Sequence, residues 1–346
     1  MGKELLVSDE PKHILFCPLD WGIGHATRCI PLIRKFIDDG HTVTIGSCKT
    51  IRDLLKKEFP DLQYFLFPTF YNIYYSRSNS QVLKMASLAP QIIKGIHQEN
   101  KFLQKVIDDL KIDVVVSDNR FGLWSNKAKT IYLTHQMLVK MPIYLKFLEP
   151  IGWYLHRRYI VKYDECWIPD FADPKQSIAG DLSHKYPLPP NAKFIGLISR
   201  FRRREETDNI EKSLPVLCIV SGPEPQRSMF EEKLVEEFKG KDFKVEIVKG
   251  VPSENTITCT EDNITFYNHL TQNEMEQKIL SAHHIICRSG YSSIMDMVTL
   301  GRRAVLVPTP GQTEQEYLAK YLSKKGLFDT ISQRKFNSEF VLNRSC

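Results

Sequence analysis

The chain has 346 residues, of which 42% are hydrophobic and 25% charged, the balance of a soluble globular protein with room for two domains. A net charge of +6 suits an anionic ligand or membrane surface and does not call for nucleic acid. The eight cysteines form no C-x-x-C pair, so they indicate buried thiols in a reducing compartment rather than zinc ligands or disulfides. Because residues 1–12 are too polar for a signal peptide and no apolar run reaches about 18 residues, we expect a cytoplasmic protein without a transmembrane helix.

Short apolar runs alternate with amphipathic segments through the first half of the chain. Strands are predicted at 13–17, 42–47, 63–67, 112–117 and 130–133. Helices are predicted over 30–40, 49–58 and 82–110, the last in two pieces broken around Pro90. This alternation predicts an α/β domain built on a doubly wound parallel sheet.

The first strand is followed by a predicted loop that reaches Arg28, in which Gly22 and Gly24 precede His25. The spacing departs from the dinucleotide-binding motif, because Thr27 stands where a third glycine is required, so a nicotinamide cofactor is not expected. A lone loop histidine is commonly a structural hydrogen-bonding group. An imidazole presented after two glycines can also take a proton from an attacking hydroxyl, and this reading stays open beside the first.

Polar residues follow two further strands of this domain. Asp118 and Asn119 come after the fourth strand, and His135 comes after the fifth. Since the carboxyl ends of parallel strands meet at one edge of a sheet, we expect Asp118 near His25, where it would orient the imidazole. The alternative is that Asp118 and Asn119 are ordinary turn residues.

Residues 137–163 mix apolar and aromatic side chains with cations. The cations are Lys140, Lys146, Arg157, Arg158 and Lys162. This mixture suits an element that rests on an anionic membrane surface, and it equally suits a core helix with a solvated basic face.

The second half repeats the strand and helix pattern after a charged linker at 201–213. We therefore divide the chain into domains at 1–200 and 214–346, with a cleft expected between them. Strands are predicted at 215–220, 243–248, 263–266, 285–287 and 304–307, and helices at 228–239 and 272–280.

A glycine-containing turn after residue 287 opens another predicted helix, with Ser292 and Ser293 in its first turn. A helix start is a natural seat for a phosphate, and Asp296, one turn further on, could hold the two hydroxyls of a ribose. Ser293-x-x-Asp296 also fits a capping box, which would explain Asp296 without any ligand.

With these motifs assembled, the chain resembles the GT-B glycosyltransferases, and most closely the MurG-like branch of glycosyltransferase family 28. The resemblance covers nearly the whole chain and is strongest over 287–317 and Trp21–Arg28. It implies two doubly wound Rossmann-like domains facing across a cleft, the first on the acceptor side and the second binding a nucleotide sugar. The implied donor-binding positions are Arg200, Gly222, Arg288, Ser289, Gly290, Ser292, Ser293, Asp296, Gln315 and Glu316.

Two of these matches depart from the family pattern. Gln315 matches the first of two glutamines that hold sugar hydroxyls, but Glu316 replaces the second. The glycine-rich loop of the donor domain is matched only loosely by residues 221–226, where prolines remove N–H donors that would cradle a phosphate.

The resemblance implies inverting transfer of a hexose, such as N-acetylglucosamine, from a UDP-sugar to a glycan or lipid-linked acceptor, without a metal or cofactor. His25 would be the base and Asp118 its partner, with Gly22, Gly24, Asn119 and His135 on the acceptor side. The enzyme would then be cytoplasmic or peripheral on the inner membrane face. A GT-B UDP-sugar epimerase and a non-catalytic nucleotide-sugar-binding protein remain as rival interpretations.

Overall fold

The computed structural model describes residues 10–19, 23–68, 70, 81–202, 212–251 and 258–344. The chain forms two compact units, and the change from the first to the second comes between Ile198 and Ser199, except that the short stretch Gly22–Gly24 groups with the second unit. Most of the linker predicted at 201–213 lies outside the described residues.

The first unit is built on a parallel sheet of seven described strands. These are β1 His13–Cys17, β2 Thr42–Ser47, β3 Gln63–Leu66, β4 Val114–Asp118, β5 Lys129–Leu133, β6 Glu165–Ile168 and β7 Ala192–Phe194. Their order is β3-β2-β1-β4-β5-β6-β7. The helices are α1 Ile23–Asp38, α2 Lys49–Glu58, α3 Gln81–Leu110, α4 Glu149–Ile160 and α5 Asp181–His184, with a 3₁₀ segment at Ile143–Leu148.

Helix α3 passes through Pro90 without a break, so the prediction of two pieces was wrong. A proline inside a helix costs about 3 kcal/mol because it removes a hydrogen bond and crowds the preceding turn. The later part of α3 buries Leu103, Val106 and Ile107 in the core of the unit. Packing of this apolar face outweighs the local cost of the proline.

The second unit contains another seven-stranded sheet among its described residues. Its strands are β8 Leu214–Ile219, β9 Val245–Val248, β10 Thr258–Glu261, β11 Ile264–Tyr267, β12 Ala282–Cys287, β13 Val305–Leu306 and β14 Asp329–Thr330. Their order is β10-β11-β9-β8-β12-β13-β14, parallel except for the edge strand β10. The helices are α6 Gln226–Phe238, α7 Gln272–Ser281, α8 Tyr291–Thr299, α9 Thr313–Lys324 and α10 Ser338–Leu342, with a 3₁₀ segment at Gln333–Lys335.

Each sheet reverses its strand order at one internal point. In the first unit β1 lies between β2 and β4, and in the second unit β8 lies between β9 and β12. Loops that leave neighbouring strands on opposite sides of such a point open a crevice at the carboxyl ends of the strands, where α/β proteins bind ligands. The segments that follow β1 and β4, and those that follow β8 and β12, carry the candidate residues.

Candidate functional site

The first turns of α1 carry one group of candidate residues. Helix α1 begins at Ile23, so Gly24, His25 and Arg28 are helical and the prediction of a loop as far as Arg28 was wrong. Glycine destabilises the interior of a helix, but in the first turn, where backbone N–H groups have no partner within the helix, its cost to helix stability is small. Because residues three apart share a helix face, Arg28 lies beside His25. Gly22 lies outside the described residues.

Asp118 ends β4 and is completely buried. Its Oδ2 lies 2.8 Å from His25 Nδ1, and its Oδ1 accepts a hydrogen bond from Arg28. The expected proximity of Asp118 and His25 is confirmed. Turn chemistry describes the next residue instead, since Asn119 has a left-handed φ of 55°.

Arg28 links this pair to a second imidazole. Its Nη2 is 2.8 Å from His25 Nδ1, and its Nη1 is 3.2 Å from Nδ1 of His135, which follows β5. Arg28, Asp118 and His135 are all buried, whereas the side chain of His25 is 18% exposed. The sequence reasoning did not include Arg28 in the site, although its spacing from His25 would have revealed it had the helix start been recognised.

Burial and the neighbouring charges together favour the neutral form of His25. Burial lowers the pKa of His25 below its ordinary value of 6.5, Arg28 lowers it further, and Asp118 opposes both effects. The position of His25 at a helix N-terminus acts in the same direction as burial. Burial alone would raise the pKa of Asp118, but Arg28 and His25 lower it by more, so the carboxylate is charged at neutral pH.

In the second unit, the turn after β12 leads directly into α8. Gly290 is the N-cap of this helix and Ser292 and Ser293 lie in its first turn. The capping box centred on Ser293 is therefore wrong, because Ser293 is already inside the helix and the N-cap makes no side-chain hydrogen bond. A Cβ added at Gly290 would meet no atom of the described residues within 4 Å, and the Ser292 hydroxyl donates to the Gly24 carbonyl at 2.8 Å.

The Asp296 carboxylate has partners from another segment. It accepts hydrogen bonds from Ser199 Oγ at 2.6 Å and from Arg200 Nε at 3.2 Å. Burial raises the pKa of Asp296, and Arg200 and Ser199 oppose that rise. Arg200, one of the predicted donor-binding residues, thus contacts the residue predicted to hold the ribose.

Arg288 and Ser289 brace the loops around this helix start. The guanidinium of Arg288 donates to the carbonyls of Gln226, Val307 and Pro308 and lies 4.0 Å from the ring centroid of Phe230. Burial lowers the pKa of Arg288 to about 9, so the group stays charged at neutral pH. Both side chains are fully buried and hold loops here, and the contact of these two residues with the donor stays a prediction.

The two residues at the start of α9 also contact their own loop. Gln315 Oε1 accepts from the Thr309 amide at 2.9 Å, and Glu316 Oε1 accepts from the Gly311 amide at 3.0 Å. Gln315 is buried, and its carbonyl accepts from Ser289 Oγ at 2.9 Å. These contacts fix the loop against the turn that precedes α8.

The loop after β8 already holds an anion of its own. Gly222 has a φ of +111°, which favours glycine, and the loop carries Glu224 to the start of α6. The Glu224 carboxylate accepts from the amide of Ser228 at 3.3 Å and from its hydroxyl at 3.0 Å. A carboxylate therefore occupies this helix start, where the resemblance implies a glycine-rich phosphate loop.

Comparison with known proteins agrees with this architecture. Residues 228–343 match the glycosyltransferase family 28 C-terminal domain. An uncharacterized glycosyltransferase of Methanosarcina acetivorans is 21% identical over 333 residues, covering 88% of this chain and 82% of that protein. The chain is a glycosyltransferase.

Among proteins with a named reaction, one relative is the UDP-N-acetylglucosamine--N-acetylmuramyl-(pentapeptide) pyrophosphoryl-undecaprenol N-acetylglucosamine transferase of a Sulfurihydrogenibium species. The chain described here is 24% identical to that relative over 200 residues, which cover 56% of each of the two chains. Solved structures with the same fold include the kitacinnamycin glycosyltransferase (TM-score 0.61, 15% identity, 95% of this chain and 88% of that one). Acinetobacter baumannii MurG also matches (TM-score 0.53, 14% identity, 95% and 88%), and the predicted GT-B fold class is confirmed.

Proposed function

We propose that this glycosyltransferase moves a hexose, N-acetylglucosamine or a close relative, from a UDP-sugar to a hydroxyl of a glycan or lipid-linked acceptor. The observation that carries the proposal is the His25 imidazole lying 2.8 Å from the buried Asp118 carboxylate, where burial lowers the pKa of His25. The named reaction of the Sulfurihydrogenibium relative supports the choice of sugar and nucleotide. That relative transfers a sugar, which favours transfer over epimerisation.

His25 acts through Nε2, the ring nitrogen that does not contact Asp118. When Nδ1–H donates to Asp118, Nε2 carries a lone pair and accepts the proton of the acceptor hydroxyl. The acceptor oxygen then forms a bond to the anomeric carbon of the donor. The bond from that carbon to the pyrophosphate breaks, and its electron pair leaves with UDP, which inverts the configuration of the carbon.

The second unit holds the leaving group in this proposal. The start of α8 supplies backbone N–H groups and a positive dipole end to the phosphates, with Ser292 and Ser293 beside them. Arg200 adds positive charge. Asp296 accepts the ribose hydroxyls, which requires it to exchange its present hydrogen bonds with Ser199 and Arg200.

A panel of UDP, GDP, TDP and their sugars tests the donor class by thermal shift, since a ligand that binds the folded state raises the melting temperature. We expect the UDP series to give the largest shift and UDP-N-acetylglucosamine to release UDP when an acceptor is added. Equal shifts from all nucleotides would contradict the choice of UDP. Formation of an epimeric sugar in the absence of any acceptor would contradict transfer.

We also propose that the segment 143–161 rests on an anionic membrane. Ile143 is 91% exposed and Phe147 72% exposed, and the same stretch exposes Tyr144, Ile151, Tyr154, Leu155 and Val161. An exposed apolar face of this kind marks an interaction surface, and the basic residues among it favour anionic lipid. No helix in the described part of the chain is long and apolar enough to cross a membrane.

A further inference from the structure

The role of Arg28 goes beyond the proposed reaction, in which the proton transfer is assigned to His25 and Asp118. Arg28 is 3% exposed, and the partners of its guanidinium include the Asp118 carboxylate and two imidazoles. Each of these imidazoles presents Nδ1 towards the guanidinium. A buried cation so placed, in a helix that also supplies His25, requires an explanation in terms of charge.

Among the described residues, the positive charge of Arg28 and the negative charge of Asp118 beside His25 balance each other while the imidazole is neutral. From α1 it is faced by the Arg28 cation and by Cys29, whose thiol stays protonated because burial raises its pKa. Asp118 supplies one negative charge from the end of β4, and His135 faces the cluster from the end of β5. A proton added to His25 would therefore leave an uncompensated positive charge in a largely buried site.

Without Arg28 the balance would be reversed. His25 and Asp118 would then form an isolated pair 2.8 Å apart, which is neutral only when the imidazole is protonated. An imidazolium has no lone pair with which to accept a proton. The base proposed for glycosyl transfer would then be blocked at neutral pH.

We propose that Arg28 is a positioning residue that keeps His25 available as a proton acceptor by balancing the charge of Asp118. The inference rests on the proposed role of His25 as the base. Arg28 also holds Asp118 through the oxygen that His25 does not use. Because Arg28 Nη2 lies 2.8 Å from His25 Nδ1 as well, the proposal requires the tautomer in which Nδ1–H donates to Asp118 and Nε2 carries the lone pair.

Titration of the His25 ring by NMR, in protein labelled with ¹³C at histidine Cε1, tests this directly. The His25 signal is the one missing from His25→Ala. We expect a midpoint below 6.5 in the unaltered protein and in Arg28→Lys. Arg28→Gln should move the midpoint upward by roughly one pH unit or more, because Asp118 is then unopposed. A folded Arg28→Gln protein with an unchanged or lower midpoint would overturn the proposal.

The double variant Arg28→Gln/Asp118→Asn removes both charges and serves as the matched control. Its His25 midpoint should stay below 6.5, and it should fold even if Arg28→Gln alone does not, since no buried charge is left unpaired. A midpoint above 6.5 in the double variant would contradict charge balance as the cause. The titration needs no turnover, so an unaltered protein that transfers no sugar would refute the proposed function and leave this result standing.

Discussion

At the scale of single residues, the proposed reaction depends on the protonation of one imidazole. His25 is the group of its cluster that reaches the surface, and three buried neighbours set its charge. A base must be unprotonated before it can act, so a lowered pKa extends activity to more acidic conditions. If His25 is the general base, the rate of transfer should therefore depend on pH as well as on the presence of the imidazole ring.

Replacing His25 by alanine should reduce turnover by roughly 10²–10⁴, the usual contribution of a general base. UDP affinity should remain close to that of the unaltered protein. In that protein, kcat/KM should fall as the pH drops through the lowered pKa of His25, below 6.5, since protonation removes the lone pair. Steady-state kinetics across pH measures both effects. The exposed His97 supplies a control, and equal losses in His97→Ala and His25→Ala would refute the assignment.

Asp296 has both a structural and a proposed ligand-binding role, and two substitutions separate them. Asp296→Ala should weaken UDP binding by about 1–3 kcal/mol and also lower the melting temperature, because Ser199 and Arg200 lose their partner. Ser199→Ala removes one of these hydrogen bonds but keeps the carboxylate. It should lower the melting temperature and leave UDP affinity intact when both variants are measured by calorimetry. Equal UDP affinity in Asp296→Ala and the unaltered protein would exclude the ribose contact.

At the scale of single elements, the 3₁₀ segment and α4 combine a buried anchor with an exposed apolar face. Glu149 is 1% exposed and accepts a hydrogen bond from Lys185 at 2.5 Å, while Lys140 pairs with Asp181 at 2.8 Å. These contacts hold the base of the segment to the unit. Of the two interpretations drawn from the sequence, a simple core helix does not account for the outward apolar side chains.

Vesicle sedimentation tests this exposed face. The unaltered protein should bind anionic vesicles, and salt should release it in part, because the attraction of basic residues to lipid is screened. Ile143→Ser/Phe147→Ser should reduce binding several-fold. Ile93→Ser, which changes a half-exposed apolar residue on α3, is the matched control and should bind normally. Equal binding to neutral and anionic vesicles would remove the electrostatic part of the proposal.

Helix α4 should also make the first unit sensitive to acid. His156 is buried against Tyr132, with Nε2 3.2 Å from the phenol oxygen, and burial lowers the pKa of His156 to about 4. The unfolded chain takes up this proton near pH 6.5, so stability is complete above that pH and is lost as the pH falls towards 4.

Between pH 7.5 and 4.5, protonation of His156 in the unfolded chain should lower the free energy of unfolding by about 2–3 kcal/mol. Urea unfolding followed by tryptophan fluorescence measures it in the first unit, because all four tryptophans lie in that half of the chain. His156→Gln should lose stability at neutral pH and show a weaker dependence on acid. An equal pH dependence in both proteins would show that other groups cause it.

At the scale of the whole molecule, both units use the same strand order around a reversal point. When the strands of a unit are numbered along the chain, the first unit has the order 3-2-1-4-5-6 across its sheet from β3 to β6. The second unit has the same order when the antiparallel β10 is set aside. Each unit has its own apolar core. The candidate residues follow the two central strands in both, which is where this topology places a ligand.

Hydrogen exchange with and without UDP tests the assignment of the donor to the second unit. UDP should slow exchange at 289–296 and 309–316, because ordered contacts reduce local opening of the bound segments. Exchange across α1 and β4 should change little. Protection concentrated in the first unit would contradict the assignment of the two roles, even if UDP binds tightly.

The sequence by itself determined the alternation of strands and helices, since buried parallel strands read as short apolar runs bounded by polar turns. It also placed Asp118 near His25, because strand order fixes which carboxyl ends are neighbours. Short edge strands such as β7 and β14, and the antiparallel β10, were not predicted. Few buried side chains distinguish them from loops.

Only the tertiary structure decided how the polar groups pair. Asp296 is held by Ser199 and Arg200, almost a hundred positions away in the chain, so no local pattern could distinguish this contact from a helix cap. Arg28 joined the first site only once α1 was known to begin at Ile23. Local periodicity records which faces of an element are apolar, whereas the charge state of a buried group depends on neighbours that folding brings together from distant segments.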